Sequence, residues 1–100
     1  MSFTQVDNAI LKGLKDLTGR ELKVLLYIQK QTKGWNRLSA WIPPSMFSEE
    51  TGIRIDHCVE TLNDLEKRDM VHRIKEGKFF KYFPSLPAKQ GYLKRKNLPF

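Results

Sequence analysis

A chain of one hundred residues, 40% hydrophobic and 11% aromatic, is enough for one small core and too apolar to stay disordered. A net charge of +7, a pI near 9.7 and a single cysteine exclude a disulfide scaffold and suit a polyanionic partner in a reducing compartment. The longest apolar run, Val24 to Ile28, is far short of a membrane span, and the first residues show no basic, apolar leader, so a soluble cytoplasmic protein is expected.

In chain order, Asp7 is placed to cap a first helix with Ile10, Leu11, Leu14 and Leu17 on one stripe. Thr18-Gly19-Arg20-Glu21 fits a capping box. The helix that it opens carries Leu22, Val24, Leu25, Leu26, Tyr27 and Ile28; it is apolar on most sides and is expected to be the most buried. Lys33-Gly34 is expected to end it through a left-handed glycine. Trp41-Ile42 reads as a short extended piece. Pro44 then sits in the first turn of a short helix that carries Met46 and Phe47 inward and ends at Gly52.

A further helix from about Ile55 to Arg68 is expected to bury Cys58, Leu62 and Leu65. Val71 to Lys75 and Lys78 to Phe83 are strand-like runs around Glu76-Gly77, with glycine at the second position of a two-residue turn. The order helix, helix, short strand, helix, helix, hairpin is that of a winged helix-turn-helix, mainly α with a small β-hairpin. It predicts a domain over residues 1–83. Residues 84–100 read as a basic, Pro/Lys-rich tail, partly docked or flexible, with Leu86, Tyr92, Leu93 and Phe100 able to dock it.

Several stretches carry a family resemblance over roughly residues 8–72. They are Asn8-Ala9-Ile10-Leu11, the run from Leu17 to Leu26, Thr32 to Arg37 followed closely by Trp41-Ile42, and the Thr51-Gly52-Ile53 turn. In these the chain resembles the amino-terminal domain of the replication protein O family of lambdoid phages. The resemblance implies a winged-helix domain in a bacterial host cytoplasm that binds repeated sites at a phage replication origin, with dimers on DNA. In that family a separate carboxy-terminal region recruits the host helicase and its loader, and a chain of this length is expected to lack it.

The charge is unevenly spread. Residues 1–43 carry seven basic and three acidic groups, residues 44–66 one basic against six acidic, and residues 67–100 ten basic against two acidic. In a helix-turn-helix the second helix meets base edges with its amino-terminal residues. The candidates here are Arg54 for guanine, Ile55 for a thymine methyl, Asp56 or Glu60 for cytosine N4, and His57 and Thr61. Two readings of the acids stand side by side. Asp56 stabilises the positive end of the helix and Glu60 and Asp64 form a solvated face, or Glu49, Glu50, Asp56, Glu60 and Asp64 form a protein-interaction face. His57 reads as a surface residue and Cys58 as packing.

Arg73, Lys75, Lys78 and Lys81 around the hairpin are the stronger phosphate-binding candidates, with about four contacts implying a salt slope near −3.6. The plain alternative is a lysine-protected strand edge. Asn36 and Arg37 either touch the DNA backbone or belong to a turn fixed by Trp35. The leading expectation is therefore a double-stranded-DNA-binding protein of a phage or prophage, acting at a replication origin or a regulatory site. The alternative is a module whose acidic helix face binds a replication or transcription protein. Catalysis is not expected: His57 and Cys58 diverge by about 100° on a helix. No metal-ligand spacing or phosphate-binding glycine loop appears, so no metal and no cofactor are expected.

Overall fold

The computed structural model describes residues 14–35 and 37–95. A 3₁₀ turn, Leu14–Asp16, leads into helix α1 (Gly19–Gln31), a second 3₁₀ turn (Lys33–Trp35) and strand β1 (Ala40–Trp41). Helices α2 (Pro44–Thr51) and α3 (Ile55–Lys67) follow, then strands β2 (His72–Glu76) and β3 (Phe79–Phe83), and a helix α4 (Leu86–Arg95). The helix expected from Asp7 lies largely outside the described residues; its last part is the 3₁₀ turn, and Leu17 packs against the core.

Helix α1 begins as its sequence requires. The Thr18 amide donates to Glu21 Oε1 at 2.9 Å and the Glu21 amide to Thr18 Oγ1 at 3.1 Å, a reciprocal capping box. Val24, Leu25, Tyr27 and Ile28 are buried, but Leu26 is 41% exposed, so the helix is two-sided rather than apolar all round. Its end differs from the expectation as well. Gly34 does not adopt a positive φ; Thr32 closes the helix, its amide and its hydroxyl both donating to the Ile28 carbonyl, at 3.0 and 2.8 Å. With that carbonyl doubly satisfied, the chain tightens into the 3₁₀ turn and needs no left-handed residue.

Pro44 opens α2, where its missing amide costs nothing. Phe47 is fully buried, whereas Met46 is 36% exposed. Neighbours on a helix point about 100° apart, so a helix of eight residues lying on one layer turns only one of the pair inward. Gly52 ends α2 at φ 76°, with its amide on the Ser48 carbonyl at 2.9 Å. Glycine's tolerance of that region lets the chain turn directly into α3.

Helix α3 buries Cys58, Thr61, Leu62 and Leu65. It ends in a Schellman motif: Met70 N donates to Leu65 O at 2.9 Å and Asp69 N to Glu66 O at 3.0 Å, with Asp69 at φ 58°. Asp69 fills the left-handed position that glycine usually takes, and Met70 packs back on the core.

The three strands form an antiparallel sheet in the order β1-β3-β2, with Arg73 opposite Tyr82, Lys75 opposite Phe80, and Trp41 opposite Lys81. Glu76 pairs with Phe79, so the tight turn is Gly77-Lys78, one residue later than expected. Positive φ at Gly77 (69°) but not at Lys78 puts glycine at the first turn position, the II′ pattern that matches strand twist. One sheet face meets the helices through Tyr82, whose ring lies edge-on to Phe47 at 5.2 Å. The segment read as a tail contains α4, which packs on the other face: Leu93 is buried, Tyr92 lies 5.3 Å from Phe83, and its hydroxyl donates to Glu76. Pro87 sits at the second residue of α4, where helices accept it. Leu86 is exposed, and Phe100 lies outside the described residues.

Candidate nucleic-acid interface

Helix α3 runs between two clefts. On one side it faces the hairpin across a pocket of about 150 Å³ whose lining includes Val59, Leu62, Asn63, Arg73, Lys78 and Phe80. On the other side Glu60, Thr61 and Asp64 meet the start of α1 (Thr18, Arg20 and Glu21) across a more open groove of about 380 Å³. The outward surface of α3 is thereby divided. Ile55 and Val59, four residues apart, form an apolar row on the hairpin side, 50% and 39% exposed. Asp56, Glu60 and Asp64, with the same spacing, form an acidic row on the α1 side.

An arginine anchors each side. The Arg73 guanidinium is buried and held from several sides: it donates to Asn63 Oδ1 at 2.6 Å, to Glu66 Oε1 at 3.1 Å and to Tyr82 Oη at 3.1 Å, and lies 3.9 Å from the centre of the Phe80 ring. Burial raises the Tyr82 phenol pKa, and the Arg73 hydrogen bond opposes that shift. Arg68 joins Glu21 Oε2 at 2.9 Å on the other side, so Glu21 serves the α1 cap with one oxygen and α3 with the other.

The residues expected to bind nucleic acid therefore separate. Arg73 leaves the set, because a side chain with 5% exposure and these partners does not reach a phosphate outside the molecule. Thr61 is 6% exposed and sits at the floor of the α1-side groove, so it does not present its hydroxyl outward. Lys81 is largely covered: its ammonium lies 3.5 Å from Glu76 Oε1 and 4.8 Å from the centre of the Tyr92 ring. Lys75 and Lys78 remain exposed. Arg54 and Ile55 are exposed at the start of α3, where Arg54 donates to Asp56 at 3.2 Å, and His57 is half-buried. Glu49 and Glu50 are exposed on α2. Arg37 is exposed, with its amide on the Thr32 carbonyl at 2.8 Å; Asn36 lies outside the described residues.

Sequence reasoning missed Asn63 and Glu66 as partners of Arg73, and Val59 as a surface residue. The signal for Val59 was present: it lies four residues after Ile55 and one after the buried Cys58. Cys58 itself is buried with its Sγ 3.5 Å from the Ile53 carbonyl, and burial raises its thiol pKa, which leaves it a weak nucleophile. Among the described residues no helix is long and apolar enough to cross a membrane.

The family model for bacteriophage replication protein O matches residues 2–82. Replication protein O of Escherichia phage lambda is 32% identical over 71 residues, which cover 69% of this chain. The chain aligns with only 21% of the length of that relative. No solved structure gives a significant match.

Proposed function

The chain belongs to the bacteriophage replication protein O family, and on that footing we propose that it is a winged-helix module that binds double-stranded DNA at a phage replication origin or a regulatory site. In this reading the first turns of α3 enter the major groove, and the β2–β3 hairpin acts as the wing and follows the adjacent backbone. Lys75 and Lys78 neutralise phosphates, and Arg54 and Ile55 reach base edges. Two copies on a repeated or symmetric site complete the reading.

The observation that carries it is the division of α3. Asp56, Glu60 and Asp64 lie on the α1 side and Glu66 is tied to Arg73, while the side next to the hairpin combines an apolar row with the exposed Lys75 and Lys78. The acidic content of this helix is therefore compatible with a DNA-facing edge. Repeated selection of the protein against a random duplex pool at moderate salt tests the proposal. Enrichment of one motif supports it. Retention without enrichment reduces the function to backbone binding, and no retention removes it.

The acidic row favours a second reading, in which Glu60 and Asp64, with Glu49 and Glu50 on α2, capture a basic surface of a replication or transcription protein. Reversing Glu60 and Asp64 to lysine separates the two. Under the DNA reading the double variant keeps or modestly gains duplex affinity, since acids near phosphates are removed. Under the protein reading it loses its partner.

A further inference from the structure

We propose that Ile55 and Val59 form a thymine-methyl reader, so that thymine, not guanine, sets the strongest base preference of α3. The inference rests on the DNA-binding reading above and deepens it. On the major-groove edge of B-DNA the apolar group is the C5-methyl of thymine; every other feature there is a hydrogen-bond donor or acceptor. A row of two half-exposed branched side chains is badly matched to any other part of that edge. Their Cβ atoms lie about 6 Å apart along the helix, close to two base-pair steps of about 3.4 Å each, so the row reaches bases two steps apart.

Two neighbours sharpen this. The cleft behind Val59 has Leu62, Phe79 and Phe80 in its lining beside Asn63, Arg73 and Lys78, so Val59 adjoins a largely apolar surface toward the hairpin. Guanine is usually read by an arginine or lysine that engages O6 and N7 together. Arg54, next to Ile55 in the chain, already donates to Asp56 through one of its guanidinium nitrogens. The carboxylates beside the row only accept hydrogen bonds, which suits the exocyclic amines of cytosine and adenine and repels the acceptor edge of guanine. The preferred half-site is thus rich in thymine methyls and exposed amines on the strand that α3 faces.

The test uses the motif recovered from the random duplex pool, with each thymine replaced singly by deoxyuridine, which removes the methyl and nothing else. At one or two positions the substitution weakens binding about fourfold, the transfer value of one such group. In Val59→Ala or Ile55→Ala the same position binds thymine and uracil duplexes alike, while the slope of affinity against salt stays that of the parent. Both side chains are half-exposed and alanine is the strongest helix former, so the variants fold; thermal melts of each protein check this. Equal affinity for thymine and uracil at every position overturns the methyl reader and leaves the DNA-binding reading standing. Failure to retain any duplex at all overturns the DNA-binding reading itself.

Discussion

The two sides of α3 are built from the same helix and hold opposite kinds of surface. Toward the hairpin lie Ile55, Val59 and a small apolar cleft with a buried arginine beneath it. Toward α1 lie Glu60, Asp64 and a wider groove that Arg20 and Glu21 also line, with the half-exposed Arg68 paired to Glu21. The lesson is that a charge counted in the sequence is not a charge at the surface. The segment from residue 67 onward is the most basic of the chain. Yet two of the four hairpin cations, Arg73 and Lys81, are committed to partners inside the molecule. The middle segment is the most acidic, yet of its six acids Glu49 and Glu50 lie on α2, Glu66 pairs with Arg73, and Asp56, Glu60 and Asp64 share one edge of α3.

The sharpest way to break the comparison is to remove the two arginines in turn. Arg73→Ala leaves the Tyr82 hydroxyl and Glu66 without their partner and takes the cation off the Phe80 ring. The loss is about 2–3 kcal/mol of folding stability, from buried hydrogen bonds to a charged group. Arg68→Ala breaks an ion pair that is 41% exposed on the arginine side, and costs under about 1 kcal/mol. Urea unfolding of both variants reads the difference directly. Equal losses would mean that Arg73 is not the anchor of the hairpin against α3.

A smaller effect separates the exposed lysines from the covered one. If DNA binding is as proposed, Lys75→Ala with Lys78→Ala lowers the slope of log affinity against log salt by roughly 1.8, at roughly 0.9 for each phosphate. Lys81→Ala leaves the slope almost unchanged, because its ammonium already faces Glu76 and two aromatic rings. With Arg73 and Lys81 withdrawn, the hairpin supplies about half of the four contacts that its composition suggests. A slope loss for Lys81→Ala as large as that for each exposed lysine would show that Lys81 leaves Glu76 when DNA arrives.

What was legible in the sequence was local. The capping box at Thr18 and Glu21, the end of α2 at Gly52 and the buried stripe Cys58, Leu62 and Leu65 each depend on residues three to five positions apart, and each stands as read. What escaped was tertiary. Arg73 resembled a surface cation because its alternation on a strand is silent about what covers it; its partners Asn63 and Glu66 come from another element. Tyr92 and Leu93 stand out in the sequence as docking residues of the last segment, but its prolines and lysines conceal that the docked part is a helix, α4, lying against the sheet face that carries Phe83. The hairpin turn moved by one residue for a similar reason: the register is set by the pairing of Arg73 with Tyr82 over the core, and glycine accepts either turn position.

The smallest effect concerns the stripe that α3 buries between its two clefts. Burial raises the Cys58 thiol pKa above its ordinary value, with Arg20 and Thr51 only partly opposing the shift. The sign follows from linkage: the unfolded chain releases this proton first, so the contribution is fully present below the unfolded pKa, about 8.5, and is lost as pH rises through the folded value. The raised phenols Tyr27 and Tyr82 extend the same loss to higher pH. Stability measured by urea midpoint is therefore flat near neutrality and begins to fall above about pH 8.5, and in Cys58→Ala the onset of that fall moves up to the range of the tyrosines. The alanine variant is less stable at neutral pH, because a buried sulfur is replaced by a small void, so the comparison is the change in midpoint with pH within each protein. If both proteins lose stability in parallel from the same pH, the thiol is not sealed by the packing of α3.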